Sequence, residues 1–579
     1  MRKPLLKLAI ASALVLISNT NGALKAEIMP PSNVDPGVID SARMQTFDLK
    51  TQKPKSEIQE EITKASESAE SPAVLRDTKF QLNKVIFTGN TQYKSEDLTK
   101  FAADIIGKEV TFKEVNAVAR QITNLYRENG YLTSLAYITP QTIEDGIVEI
   151  SIVEGKIGDI EIQGTRWTKD VYLKNTIFKS NGFDEDKIFN INSVRKSLND
   201  LNQSGYLKGQ IILEKGEKAE TTDIILDIKE RMPFSLGVSW DNLGRDLIGN
   251  QRANITVADN NLTGFGDRLY AGTSLASGAF GVSTGYEVPV GPYGTKFRFG
   301  YSFADIDLGG AYKQYKIDGN SHLFGTSIIQ PIYKGGNFEL VSDLGFDMRH
   351  SKTTLLGDTT LQNYNLRVLR TGLNAIKYDN SGKWISRAEV STGLPILGAT
   401  TESGHGIGSS KFVKINSNLI RVQKLPFNSL GIARVSGQFS PNALLAPEQT
   451  QLGGSYTVRG YDEGILLGDL GYNASLEVRT PIPFLPASIS LPLMPQKIKN
   501  INLKDKIQFA AFYDQGYAKM LHQNSIKTSG FLQSVGVGLR CSVTRFLSAN
   551  LDLGVPLGGK VSPDQNAAKF HFSLTSNLF

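Results

Sequence analysis

A single cysteine, Cys541, stands in 579 residues. That excludes an internal disulfide framework, a structural zinc site built on several thiolates, and CxxC redox chemistry. The five histidines, His322, His350, His405, His522 and His571, are scattered and show no HExxH spacing. Charge of one sign is also missing. Lys plus Arg is 63 against 57 for Asp plus Glu, and the resulting +6 is too diffuse to argue for nucleic acid. No later stretch approaches the ~18 to 20 apolar residues of a transmembrane helix. The mean hydropathy of −0.19 has the look of a soluble protein. A β-barrel would give the same value, because it hides half its residues in a polar lumen.

What is present begins with a leader. Arg2, Lys3 and Lys7 precede an apolar run from Leu8 to Ile17, and Asn19 to Ala26 is small and polar. Residues 1–26 read as a secretory signal peptide with an imperfect cleavage site, so the mature chain is expected to be exported. An exported chain without an apolar helix can enter a membrane only as a barrel. Residues 27–78 are a low-complexity lead-in. Within it Ser56 starts a helical pattern to Ala69, with Ile58, Ile62 and Ala65 on one stripe. Composition alone favours a charged, disordered linker.

Residues 79–155 follow a β-α-α-β-β order. Leu82, Val85 and Phe87 mark a strand that ends at Gly89-Asn90, and Ser95 is read as the cap of a short helix to Ile105. Thr111-Phe112-Lys113-Glu114 is a capping box before Val115, Val118, Ala119, Ile122, Leu125 and Tyr126, and Gly130 closes that helix. Strands are expected at Tyr131 to Thr139 and Ile147 to Glu154, around an Asp145-Gly146 turn. Residues 156–231 repeat the order. Ile157, Ile160 and Ile162 start a strand, a helix follows Trp167, and Val194, Leu198 and Leu201 mark another that ends at Gly205. Strands follow at Tyr206 to Leu213 and Thr222 to Glu230. Gly130-Tyr131-Leu132 recurs as Gly205-Tyr206-Leu207, and the strand ends Glu154 and Glu230 recur at nearly the same period. These are two copies of one α+β module.

From Pro233 the helical periodicity stops and alternation takes over, as in Phe234, Leu236, Val238 and Trp240, or Val535, Val537 and Leu539. At ~20 residues per strand with its turn, residues 232–579 hold about 16 strands of a transmembrane antiparallel β-barrel. Gly281-Val282-Ser283-Thr284-Gly285 matches the nucleophile elbow, but a strand-like Tyr286-Glu287-Val288-Pro289-Val290 follows where that motif needs a helix. No enzyme and no cofactor is expected.

Three local features carry a family resemblance. The first is Asp241-Asn242, Gly249, Arg252, Asp259-Asn260 and Gly264-Phe265-Gly266-Asp267-Arg268. The second is Val458-Arg459-Gly460-Tyr461. The third is Phe512-Tyr513-Asp514-Gln515-Gly516. In this order, behind two repeated modules, the chain resembles the outer-membrane transporters of two-partner secretion, the FhaC/ShlB/HecB-like family, from end to end. The resemblance implies two periplasmic POTRA modules, a 16-stranded barrel, and a sixth extracellular loop folded inward with Arg459 paired to Asp514. It implies that the 56–69 helix plugs the resting pore. It also implies export of a large unfolded exoprotein of adhesin or haemolysin type, bound by the POTRA modules and moved without nucleotide. Other implied partners are outer-membrane lipid and, during biogenesis, the barrel-assembly machinery. Phe579 stands where barrel proteins often carry an assembly signal, although the apolar parity before it falls on Leu578, Leu574, Phe572 and Phe570 instead. The alternative is a factor that inserts barrels into the membrane, which shares the loop motif and the modules. Two modules and an N-terminal helix favour export.

Overall fold

The computed structural model describes residues 79–578 apart from 203, 292, 358, 402–407, 486–488, 491–499, 502–505, 522–528, 545 and 559–566. The signal peptide, the 56–69 helix and Phe579 lie outside the described residues.

The first module is a three-stranded sheet under one long helix. Ile147–Val153 is the central strand, parallel to Lys84–Thr88 and antiparallel to Leu135–Tyr137. The helix Phe112–Glu128 starts where the capping box places it: Thr111 Oγ1 accepts from the Glu114 amide, and the Glu114 carboxylate accepts from the Thr111 amide. Its stripe of Val115, Val118, Ala119, Ile122 and Tyr126 packs on Val148, Ile150 and Ile152. Three expectations are corrected, the first being the helix expected to reach Ile105, which is only Ser95–Thr99. Ser95 does not cap its helix. Lys94 occupies that position, and the Ser95 hydroxyl instead accepts from Asn90 Nδ2 at 3.2 Å. The strand expected over 131–139 shrinks to Leu135–Tyr137, because the Ser134 amide turns back onto the Tyr131 carbonyl.

The second module repeats the plan. Thr221–Glu230 is central, parallel to Lys156–Gln163 and antiparallel to Leu207–Lys215, with the helix Ile191–Asn202 on one face. The helix expected after Trp167 is a single turn, Asp170–Tyr172, that widens into a π-helical segment, Leu173–Phe178. Phe178 enters the core there, edge-on to Phe183 at 5.3 Å. The two modules meet end to end, where the Ile191 amide donates to the Gly130 carbonyl at 2.9 Å.

One glutamate does the same work in both modules. Glu154 accepts from the Thr91 amide and the Gln92 amide, and from the Tyr126 hydroxyl at 2.6 Å. Glu230 accepts from the amides of Arg166, Trp167 and Thr168. Each carboxylate thereby satisfies backbone donors in the turn after its module's first strand. Burial pushes both carboxyls up, but the hydrogen bonds outweigh it and hold both below the ordinary carboxylate range. Burial and the neighbouring Glu154 push the Tyr126 phenol well above its usual value.

The rest of the chain closes into a barrel of sixteen antiparallel strands, from Phe234–Asp241 to Lys569–Asn577. Each strand pairs with the next. The last pairs with the first from Ser573–Asp241 to Asn577–Gly237. Asn242 reinforces that closure: its Nδ2 donates to the Phe570 carbonyl and its Oδ1 accepts from the Phe572 amide at 2.7 Å. Side chains alternate as the pleat requires. Ile328, Leu344, Leu373, Val390, Leu419 and Leu476 face outward and are exposed. Asp343, Asp347, Arg370, Arg387, Glu389 and Lys414 face inward and are knit by ion pairs. Gly281 to Gly285 lies inside the strand Ala279–Val290, so no helix follows it.

Candidate functional site

Between the strands Ser429–Phe439 and Leu470–Pro481, a long loop turns back into the barrel. It is stiffened by its own two-stranded ladder, Thr450–Leu452 against Leu466–Gly468. At its tip Val458, Tyr461 and Leu452 are buried with Ala518 and Leu532 of the wall. The Tyr461 hydroxyl donates to the Gln533 carbonyl at 3.0 Å.

Arg459 is the centre of this tip. Its Nε donates to Asp514 Oδ2 at 2.7 Å and its Nη2 to Asp514 Oδ1 at 2.9 Å, a fork matched to one carboxylate. The Arg459 amide adds a third bond to the same group at 3.1 Å. Asp514 is fully buried, and Arg459 is 6% exposed. The guanidinium also lies flat over the Phe512 ring, 3.4 Å from its centroid. Gly460 is required on two grounds. Its φ of +91° is left-handed, and a Cβ there would stand 2.9 Å from the Gly554 carbonyl carbon. Gly516 gives similar room, since a Cβ on it would stand 3.1 Å from Leu452. The structure thus brings together Val458, Arg459, Gly460, Tyr461, Phe512, Asp514 and Gly516.

The wall around Arg459 holds more charge than the motifs announce. Arg459 Nη1 also pairs with Glu477 and lies 3.6 Å from Asp552. Arg540 bridges the same two carboxylates at 3.1 and 2.8 Å, and Arg479 pairs with Glu477 at 2.6 Å. Ser475 donates to Asp514 at 2.6 Å, and the Gly460 amide donates to His571 Nε2 at 3.2 Å. These partners went unnoticed in the sequence, yet a signal was there. Glu477, Arg540, Asp552 and His571 each sit between apolar neighbours in an alternating strand: Leu476 and Val478, Leu539 and Cys541, Leu551 and Leu553, Phe570 and Phe572. Such a charge must face the lumen, because on the lipid face it would be destabilising.

The first motif serves a different place. Asp241 pairs with Arg252 at 2.8 Å across the first hairpin. The Gly264-Phe265-Gly266 turn carries the second module. The Lys169 amide donates to the Gly264 carbonyl, Lys169 Nζ lies over the Phe265 ring, and Asn261 Nδ2 donates to Thr168 Oγ1 at 2.8 Å. A Cβ on Gly266 would stand 2.2 Å from the Tyr172 hydroxyl. Lys334 and Asp200 form a further ion pair between barrel and module.

Known proteins are similar to this chain. The family model for the haemolysin secretion/activation protein ShlB/FhaC/HecB matches residues 220–541. The ShlB-type POTRA domain matches 80–155, and the surface antigen variable number repeat, also a POTRA domain, matches 156–231. Heme/hemopexin transporter protein HuxB of Haemophilus influenzae (strain 86-028NP) is 26% identical over 577 residues, covering 95% of this chain and 96% of its own. Outer membrane transporter CdiB of Dickeya dadantii (strain 3937) is 22% identical over 494 residues, 83% of each chain. The solved structure of CdiB from Escherichia coli superposes with a TM-score of 0.68 at 20% identity, covering 89% of this chain and 93% of that one. BamA from Haemophilus ducreyi lacking POTRA domains 1-3 gives 0.52 at 15% identity, covering 86% and 100%. At these identities the two structures speak to the fold alone.

Proposed function

This chain belongs to the haemolysin secretion/activation protein ShlB/FhaC/HecB family, and from that premise we propose that it exports a large unfolded exoprotein from the periplasm to the cell surface. The barrel sits in the outer membrane and the POTRA modules lie in the periplasm. The observation that carries the reading is the Arg459–Asp514 fork, which ties a long loop into the lumen of a closed barrel. A loop held by buried ionic bonds has two discrete positions, tied and released, and release widens the passage.

The modules supply the client's first contact. Among the described residues, Leu207–Lys215 pairs on one side only, with Thr221–Glu230. An extended client adds a strand there through main-chain hydrogen bonds, which accept any sequence. No nucleotide is needed, because a client that folds outside is removed from the unfolded pool and the equilibrium is drawn outward. The heme/hemopexin transporter relative widens the clients worth testing from adhesins and haemolysins to proteins that bind heme or hemopexin. The barrel-inserting reading is less favoured, since the family model and the relatives are transporters and the BamA likeness is one of fold.

The test is secretion. The chain is expressed with a candidate exoprotein, and the medium is assayed with wild type, Arg459→Ala and no transporter. Client outside with wild type and at background with Arg459→Ala is the expected result. Equal secretion by both would remove the role given to Arg459. Client retained by an assembled wild-type barrel, across the candidate set, would favour the barrel-inserting reading.

A further inference from the structure

The loop that carries Arg459 is tied to the wall at a second place. Glu448 ends the short 3₁₀ turn Ala446–Glu448 on the inbound limb and is 2% exposed. Its carboxylate accepts from Arg370 Nη2 at 2.8 Å and from Lys414 Nζ at 2.8 Å. Its carbonyl accepts from Lys414 Nζ at 2.9 Å and Gln438 Nε2 at 3.0 Å. Arg370 is itself braced by Asp347 at 2.6 Å and by Ser391 at 2.9 Å. Beside the turn, Leu444 and Leu445 pack on Tyr364, Leu366, Val368 and Phe412. On the returning limb, Asp469 accepts from the Leu444 amide at 2.8 Å, so both limbs are joined at this level.

We infer that Glu448 is a second positioning residue for the loop, a clamp of opposite polarity to Arg459. At the tip a cation of the loop meets the carboxylates of Asp514, Glu477 and Asp552. At Glu448 an anion of the loop meets the cations of Arg370 and Lys414. One tie fixes a point and leaves rotation about it. Two ties fix an orientation. Their opposite signs exclude exchange, because Glu448 among the wall carboxylates, or Arg459 between Arg370 and Lys414, would set like charges together without water. In barrel order Glu448 reaches the eighth strand, Thr359–Asp379, while Arg459 reaches as far as the fifteenth through Asp552 and the Gly460 amide meets His571 on the sixteenth. The consequence for transport rests on the export reading, whereas the clamp itself does not: release of the passage requires the Glu448 clamp to part along with the tip ties, those of Arg459 and the pair of Asp462 with Lys569.

The experiment uses the full chain without client. Cys541→Ser removes the native thiol, and Leu445→Cys places a probe beside the clamp. Labelling by a membrane-impermeant maleimide on cells, and time-averaged conductance in planar bilayers, are read for this background with Glu448→Gln and with Lys414→Met. Glutamine keeps the size of Glu448, so packing alone would not respond. The expected result is labelling several-fold faster and conductance raised several-fold by both variants, with heat-modifiable mobility showing folded barrels. Labelling and conductance equal to the background in both variants would overturn the clamp. Should Glu448→Gln fail to assemble, Lys414→Met decides alone. Failure of wild type to export any client would sink the export reading and leave the labelling result standing.

Discussion

The periplasmic modules and the barrel bury opposite things. Each module hides apolar side chains, such as Ile122 and Val148 in the first and Phe178 and Leu226 in the second, and among the described residues of the two only one charge, Glu154, is buried. The barrel turns apolar residues such as Leu344 and Leu476 outward and hides Arg459, Asp514, Glu477, Glu448 and Lys414 inside. The difference teaches where each region stores its specificity. In the modules it lies in shape, because close packing penalises even a lost methylene. In the barrel it lies in pairing. A buried ion pair adds little net stability, yet breaking one by removing a single partner is strongly unfavourable. A packed core resists change in every direction, while a paired charge can part as a unit. The loop is held by both kinds, the paired charges of Arg459 and Glu448 standing beside buried Val458, Tyr461, Leu444 and Leu445.

Three changes test that contrast. The largest effect is expected from Phe178→Ala, which empties a fully buried site in the second module. It should lower that module's stability by about 3–5 kcal/mol, read by hydrogen exchange along Thr221–Glu230, while the barrel keeps its heat-modifiable mobility. Equal loss in both regions would break the contrast. Leu344→Arg comes next. Leu344 is 49% exposed on the outward face beside Ile328. A charge there should lower barrel stability in liposomes by about 2–4 kcal/mol, and no change in the urea midpoint would place that face away from lipid. The smallest effect is expected from Glu154→Gln, where a charge serves a module in the way charges serve the barrel. Losing the charged acceptor should destabilise the first module by about 1–3 kcal/mol. Because the folded Glu154 titrates below its unfolded value, its contribution is complete above the unfolded carboxylate range. It is lost as pH falls through the folded value. Wild type should therefore lose module stability in acid more steeply than Glu154→Gln, and parallel acid curves would remove Glu154 from the account.

The sequence made the architecture legible because both periods were clean. Thr111 and Glu114 start a helix where the capping rule puts it, and Val535 and Val537 are exposed on the outward face as their parity requires. The tip was legible through its motif, whose Arg459 meets Asp514. What escaped were side chains whose meaning depends on a neighbour distant in sequence. Glu477 reads as one more charge until the loop brings Arg459 to it, and Glu448 gives no local sign that Arg370 waits across the lumen. The π-helical turn at Leu173–Phe178 escaped for the same reason, since the core position of Phe178 overrides the local helical period.

At Gly554 the backbone of the wall and that of the loop tip come so near that a Cβ would stand 2.5 Å from the Gly460 nitrogen. Unlike Gly460, Gly554 has no left-handed φ, so a side chain there meets only a lack of space. The contact therefore leaves room at 554 for a hydrogen atom and not for a methyl group. Any side chain at 554 must displace the tip from its seat, because the atoms it would meet are loop backbone.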